Sequence, residues 1–299
     1  MADYPIILVE REEVIGDEGM GSKPKFWFRR DGQYWLFKEA RDGTGEDWAE
    51  KVVAEVARIA GISAATVQLA EFQGRRGCAC LSFARPEQAE TLIHGNEILA
   101  GFVLGYDPKK KFHQSDHTLD NIAEAVRRMF PEKARHESAL AQLGSYLVLD
   151  ALVGNTDRHH ENWAILAKGS QVEGGVELTM QVAPSFDHAS SLGRELLDEG
   201  RKKLLEGGRV GNYIRRGHGA IFQNTTDKRG VNPLDLVEFG ARTFPDYFVP
   251  ALQQLKGVPL QHLQDTVAGV PTVRMSDVSK SFVRAFMAYT HEVLTKLPQ

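Results

Sequence analysis

Apolar and polar positions alternate in short runs over the first eighty-five residues, and recur at helical spacing over much of the remaining chain. Phe26-Trp27-Phe28 and Tyr34-Trp35-Leu36-Phe37 flank Arg30-Asp31-Gly32-Gln33. An Asp-Gly pair between aromatic-rich runs suits a tight hairpin, so two antiparallel strands are predicted, with Lys38 at or just after the end of the second. Asp47 with Glu50 three residues on fits a capping box, and Trp48, Val52, Val56 and Ile59 hold one apolar face until Gly61, which predicts a helix. Val67 to Phe72 and Cys78 to Phe83 predict two more strands around a Gly74-Arg75-Arg76-Gly77 turn, and Arg85-Pro86 ends the pattern.

Beyond that point the periodicity changes. Leu119 to Phe130 and His136 to Val153 are amphipathic, the second carrying Leu140, Leu143, Leu147, Val148 and Leu152, with Gly154 placed to cap it. A polar loop from Asn155 to Asn162 precedes a strand, Trp163 to Leu166. A turn over 169–175 leads to another strand, Val176 to Val182, which delivers Pro184-Ser185-Phe186-Asp187. From Leu192 onward helices and loops are expected. The expected architecture is α+β with two lobes: residues 1–85 as a small antiparallel-sheet lobe with one helix, and 86–299 as a larger, mostly helical lobe.

Composition narrows the function classes only modestly. The chain has 299 residues, 25% charged and 42% hydrophobic, with a formal net charge of -4. That balance gives no global attraction to nucleic acid or to anionic membranes. No run is long enough to span a bilayer, and the start lacks a basic, long-apolar export signal, so a cytoplasmic location is expected. Cys78 and Cys80 alternate along one expected strand and cannot comfortably bridge, which favours reduced thiols.

The candidate chemistry lies in Asp157-Arg158-His159-His160-Glu161-Asn162. A carboxylate and a carboxamide five residues apart in one loop, followed by a strand pair that presents Asp187, is an order that phosphoryl transfer requires. In a protein kinase such an Asp accepts the acceptor hydroxyl's proton, while the Asn and the later Asp hold Mg²⁺ on the nucleotide phosphates. Asp and Asn are also common turn formers. The expectation is strengthened by a strand-borne Lys38 ahead of a helix bearing Glu50, since kinases need a lysine on the phosphates and a glutamate that holds it. Glu55 competes with Glu50 for that role.

The sequence resembles the HipA-like Ser/Thr kinases, bacterial proteins known as toxins of toxin–antitoxin systems, in which an Asp-x-His-x-x-Asn loop precedes Pro-x-x-Asp. Asp157 to Asn162 and Pro184 to Asp187 match those motifs. Gly21-Ser22-Lys23-Pro24-Lys25 matches the family's Gly-rich loop, and Leu81-Ser82-Phe83 its hinge. The resemblance runs from about residue 18 to about residue 192. It implies a kinase-like fold, ATP and Mg²⁺ as cofactors, and Asp157 as catalytic base. Asn162 and Asp187 would ligate the metal, and Lys38 would hold the phosphates. Gly21, Ser22, Lys23 and Lys25 would cover them, and the hinge residues Leu81 and Phe83 would contact the nucleotide. His159 would orient the loop as a hydrogen-bond donor or sit as a satisfied core histidine. The Gly-rich loop begins near residue 19, which implies a form without the N-terminal subdomain of long members. Glu18-Gly19-Met20 stands where relatives carry a regulatory serine, leaving Ser22 as the candidate for modification.

The resemblance also implies a protein substrate and an antitoxin or other regulatory partner. Neither membrane nor direct nucleic-acid binding is expected. Alternatives are a lipid or small-molecule kinase of the same fold, a nucleotide-binding module without catalysis, and a metal-dependent phosphohydrolase. The last is suggested by His159-His160 and Asp187-His188.

Overall fold

In a computed structural model that describes residues 3–17, 24–172 and 175–297, Asp31 and Gly32 take φ of 50° and 76°. Those left-handed values let β3 (Lys25–Arg30) turn directly into β4 (Gln33–Glu39), with Lys25 opposite Lys38 and Phe28 opposite Trp35. With β1 (Ile6–Val9), β2 (Val14–Asp17), β5 (Val67–Phe72) and β6 (Arg75–Leu81) they form a six-stranded sheet in the order β1-β5-β6-β4-β3-β2. The sheet departs from the antiparallel expectation at one edge, where β1 pairs with β5 in parallel. The turn before β6 also lies earlier than expected. Gln73 and Gly74 take the positive φ, and Arg75 and Arg76 belong to the strand.

Strand alternation gives this sheet two different faces. Phe26, Phe28, Phe37, Ala70 and Ala79 pack with Val9 into an aromatic core on one side. Lys38, Leu36, Cys78 and Cys80 point to the other, where Val67, Cys78 and Cys80 pack with Leu36 and with Ala54 of α1 (Glu46–Ile59). Both cysteines are free and buried. The hydrogen bond with Cys80, and then burial, push the Cys78 thiol well above its ordinary pKa, so it stays protonated.

The capping box expected at Asp47 does not form. The helix begins at Glu46 with Gly45 as its cap residue and no side-chain cap bond. Asp47 instead accepts from Arg76 Nη2 and Nε at 2.7 and 3.0 Å and from Arg274 Nη1 at 3.2 Å. A carboxylate in the first turn suits the helix dipole, and buried it needs cations.

The chain divides into two compact units. The first comprises the chain up to Ser82, Asp187–Ile214 and Val258–Glu292; the second comprises Phe83–Phe186, Arg215–Gly257 and the chain from Val293. The second unit contains a three-stranded sheet in the order β7-β8-β9, from β7 (Glu90–His94), β8 (Ala164–Val172) and β9 (Gly175–Val182). Its helices are α2 (Gly95–Phe102), α3 (Leu119–Met129), α4 (Lys133–Val153), α7 (Pro233–Thr243) and α8 (Pro245–Lys256). The other described α-helices are α5 (Asp198–Glu206), α6 (Val210–Arg215), α9 (Leu260–Asp265) and α10 (Asp277–Thr295). α8 lies close on α4 because Gly144 has no side chain: a Cβ there would sit 2.3 Å from Tyr247 O. No helix among the described residues is long and apolar enough to cross a membrane.

Candidate active site

In the second unit, α4 ends at Gly154 with φ 63°, the left-handed value that sequence position predicts. The loop after it is held largely by its own polar atoms. Asn155 N–H donates to Asp150 O at 2.8 Å, its Nδ2 to Asp150 Oδ1 at 2.8 Å, and its Oδ1 accepts from Asp157 N–H at 3.1 Å. Asn162 Nδ2 donates to Asp157 O at 2.7 Å, which fixes the amide and leaves Oδ1 as its remaining donor atom for a cation. Asp157 is half-buried and Asn162 is buried.

Arg158 is the buried hub of this loop, a role that motif spacing did not single out. Its Nε and Nη2 donate to Asp150 Oδ2 and Oδ1 at 2.7 and 2.8 Å, its Nη2 also to Ser185 Oγ at 2.9 Å, and its Nη1 to Asn162 O and Phe186 O. One guanidinium therefore ties the Asp157–Asn162 loop to α4 and to the two residues preceding Asp187. The available signal was Asp150, a carboxylate inside Leu149-Asp150-Ala151-Leu152, because a charge buried in an apolar helix end requires a cationic partner.

The histidines of this region are engaged in hydrogen bonds. His159 Nδ1 accepts from Glu161 N–H at 3.2 Å, so it orients the loop as an acceptor rather than as the expected donor. His160 Nδ1 bonds Tyr106 OH at 2.7 Å, and burial, then His159, lower its pKa to about 4. His117 Nδ1 donates to Ala220 O while its Nε2 accepts from Trp163 Nε1, and burial lowers it to about 3. The His159 and His160 ring centroids lie 6.2 Å apart, and the Nδ1 of each ring is engaged, with Glu161 N–H and with Tyr106 OH. Among the described residues no group of three or more His, Cys, Asp or Glu side chains is arranged to hold a metal.

The first unit holds the other candidate residues. Lys38, on the α1 face of β4, has Nζ 3.3 Å from Asp187 Oδ1 and 3.6 Å from Glu50 Oε1. Burial opposes its charge, but Asp187 and then Glu50 outweigh it and hold the ammonium pKa well above the ordinary lysine value. Glu50 is fully buried. Glu55 pairs instead with Lys51 at 2.6 Å and Arg58 at 3.0 Å, away from Lys38. Asp187 takes φ 59°, a left-handed conformation uncommon outside glycine.

The remaining expected residues are dispersed or undescribed. Lys25 starts β3 directly across from Lys38, so both side chains leave the same face of the sheet. Gly21, Ser22 and Lys23 lie outside the described residues. Leu81 ends β6, paired with Trp35, and belongs to the first unit. Phe83 begins the second unit and lies against Phe186, ring centroids 5.6 Å apart.

Hard oxygen donors and a retained cation are what a magnesium nucleotide asks of a protein. The side chains of Asp187, Asn162 and Lys38 fit that demand chemically.

The profile of the HipA-like C-terminal domain matches residues 19–224. The fold is similar to that of the Helicobacter pylori proinflammatory kinase CtkA, with a TM-score of 0.73 at 18% identity over 91% of this chain and 92% of that one. It is also similar to HipA from the Shewanella oneidensis MR-1 toxin–antitoxin complex of HipA, HipB and operator DNA, with a TM-score of 0.55 at 14% identity. That match covers 96% of this chain and 65% of the other. At these identities the likeness is one of fold: an N-terminal sheet with a helix, then a mostly helical region. A search of curated proteins gave no match.

Proposed function

Because the chain belongs to the HipA-like C-terminal domain family, a kinase-like family of phosphotransferases, we propose that it transfers the γ-phosphoryl group of ATP, bound with Mg²⁺, to a serine or threonine hydroxyl of a protein. The observation that carries this reading is the pairing of Lys38 with both Asp187 and Glu50. Burying a lysine between two carboxylates has a high desolvation penalty and is retained where a fixed positive charge is needed.

In this reading residues 1–85 supply the nucleotide-phosphate contacts and residues 86–299 most of the catalytic groups. Lys38 donates to the phosphate oxygens, aimed by Glu50. Asp157 takes the proton of the acceptor hydroxyl as its oxygen bonds to the γ-phosphorus, the bond to the β,γ-bridging oxygen breaks, and ADP leaves. Asn162 Oδ1 and the Asp187 carboxylate would hold Mg²⁺, which supplies charge neutralisation on the phosphates. Gly21, Ser22, Lys23 and Lys25 would cover those phosphates, and Leu81 and Phe83, as the hinge, would contact the nucleotide. His159 keeps the loop in shape. By analogy with the HipA–HipB complex, a protein partner would control activity.

The test is incubation with labelled ATP and Mg²⁺ in a cell lysate, followed by identification of the labelled species, alongside thermal unfolding with Mg²⁺-ATP and with AMP. A ligand that binds only the folded protein raises its melting temperature. Protein-bound label and a larger shift with Mg²⁺-ATP than with AMP are the expected outcome. If neither nucleotide moves the transition at millimolar concentration, the proposal fails.

A further inference from the structure

The segment that starts at Asp187 is joined to α1 by a second link, seven residues on. Gly45 N–H donates to Arg194 O at 2.8 Å, and Arg194 Nη1 donates to Glu46 Oε1 at 2.7 Å. Arg194 Nη2 also reaches Ser190 Oγ at 3.2 Å. Glu46 is buried and its other oxygen accepts from Arg41 N–H at 3.1 Å, with Arg41 Nη1 3.5 Å from Oε1. Its carboxylate is thus directed by fixed donors.

Glu46 and Glu50 are four apart on α1 and share a helix face. One end of that face meets Arg194; the next turn meets Lys38, which meets Asp187. The contacts close a ring: Asp187, Lys38, Glu50, the first turn of α1, Glu46, Arg194, and back along the chain to Asp187. Inside that return path the backbone is in left-handed conformations at Asp187, Leu192 and Gly193, with φ of 59°, 57° and 65°. Non-glycine residues keep such conformations where their surroundings over-determine them. Leu192 is fully buried, and Arg201 Nη2 donates to Gly193 O at 3.1 Å.

We propose that Arg194 is a positioning residue: by clamping residues 187–194 to the start of α1 through Glu46 and Gly45, it holds Asp187 and Glu50 in register with Lys38. The proposal rests on the phosphotransferase reading for its consequence, but the clamp itself is measurable without nucleotide.

Two measurements on the full chain separate the possibilities, using Arg194→Ala and the conservative Arg194→Lys, which keeps the charge but not the planar fork. The first is hydrogen–deuterium exchange of the protein without nucleotide. Removing the clamp should raise exchange in 188–193 and at the start of α1 by about tenfold or more while leaving β5 and β6 protected, because the opening is local. The second is a Mg²⁺ titration at saturating ATP, read as thermal stabilisation. The Mg²⁺ concentration at half-effect should rise by about tenfold in Arg194→Ala, and less in Arg194→Lys. Unchanged exchange in 188–193, or a rise spread evenly over the chain with an unaltered Mg²⁺ requirement, overturns the proposal and leaves Arg194 a general stabiliser. If Arg194→Ala shows the faster local exchange but the parent protein itself gives no response to Mg²⁺-ATP, the phosphotransferase reading falls and, with it, the catalytic role given to the clamp.

Discussion

Lys38 Nζ lies 3.3 Å from Asp187 Oδ1, although 149 residues separate the two in sequence. Glu50 completes the arrangement at 3.6 Å from the same nitrogen. The lysine keeps its charge because two carboxylates offset the desolvation that would otherwise lower its pKa. Each partner therefore has a separable consequence.

Lys38→Met removes the cation that pairs with the buried Glu50 carboxylate, and breaking a buried pair from one side costs on the order of 3 kcal/mol. Thermal unfolding should show a drop of several degrees, and Mg²⁺-ATP should no longer stabilise. Adding Glu50→Gln to that variant should restore much of the stability but not the nucleotide response. Glu55→Gln, which among the described residues removes the ion pairs with the buried Lys51 and the exposed Arg58, should cost stability by leaving Lys51 with a weaker partner but leave ATP binding alone. Equal effects of the two glutamine substitutions on ATP binding would contradict the assignment of Glu50.

Asp157→Ala and Asp187→Ala should fail differently. The proposed base meets the acceptor rather than the nucleotide, so Asp157→Ala should abolish transfer while Mg²⁺-ATP binding persists. Asp187→Ala removes a proposed metal ligand and should weaken Mg²⁺-ATP binding together with turnover. Calorimetric titration of both variants decides, and an Asp187→Ala protein that binds Mg²⁺-ATP like the parent counts against its role.

Arg158→Ala should be among the more damaging substitutions in the second unit. It leaves Asp150 buried without its cation and frees the carbonyls of Asn162 and Phe186, a loss of about 3–5 kcal/mol. Arg158→Lys cannot reproduce the bidentate bond and should recover only part of it. Chemical denaturation with a shared m-value across variants is the appropriate measurement, and a loss below about 1 kcal/mol would remove Arg158 as the hub.

Stability should fall on mild acidification through His117 and His160. Their folded pKa values, about 3 and about 4, lie below the ordinary histidine value of 6.5. The unfolded chain therefore binds protons that the folded one does not, and stability present above pH 6.5 is lost as pH falls toward those values. Each group contributes a slope of about 1.4 kcal/mol per pH unit inside its window. Denaturation between pH 7 and pH 5 should show a shallower pH dependence in His160→Asn than in the parent; identical slopes would mean that His160 is protonated in the fold.

The α+β kinase-like reading and the family were both legible in the residues themselves. The Asp31-Gly32 hairpin, the left-handed cap at Gly154 and the apolar faces of α1 and α4 depend on backbone preferences and periodicities that act over a few residues. Such signals survive without knowledge of the partner. Charge pairing does not. Asp47 followed by Glu50 satisfies the local rule for a capping box, yet Arg76 and Arg274 engage Asp47 and Lys38 engages Glu50. Those cations come from 29 and 227 residues away in the case of Asp47. Asp150 signalled that a cation must exist without saying which, and Arg194 carried no signal at all.

What the sequence by itself determined was thus the set of local conformations and the short motif Asp157 to Asn162 with Asp187 after a strand pair. Only the tertiary structure decided that Glu50 rather than Glu55 meets Lys38, that β1 joins the sheet in parallel, and that Arg158 and Arg194 hold the segments flanking the boundary between Phe186 and Asp187. The reason is physical. A turn or a helix end is selected by the torsional energies of the residues that form it, whereas a buried ion pair is selected by which distant charge the packing brings within a few ångströms, where the low dielectric makes that one partner matter.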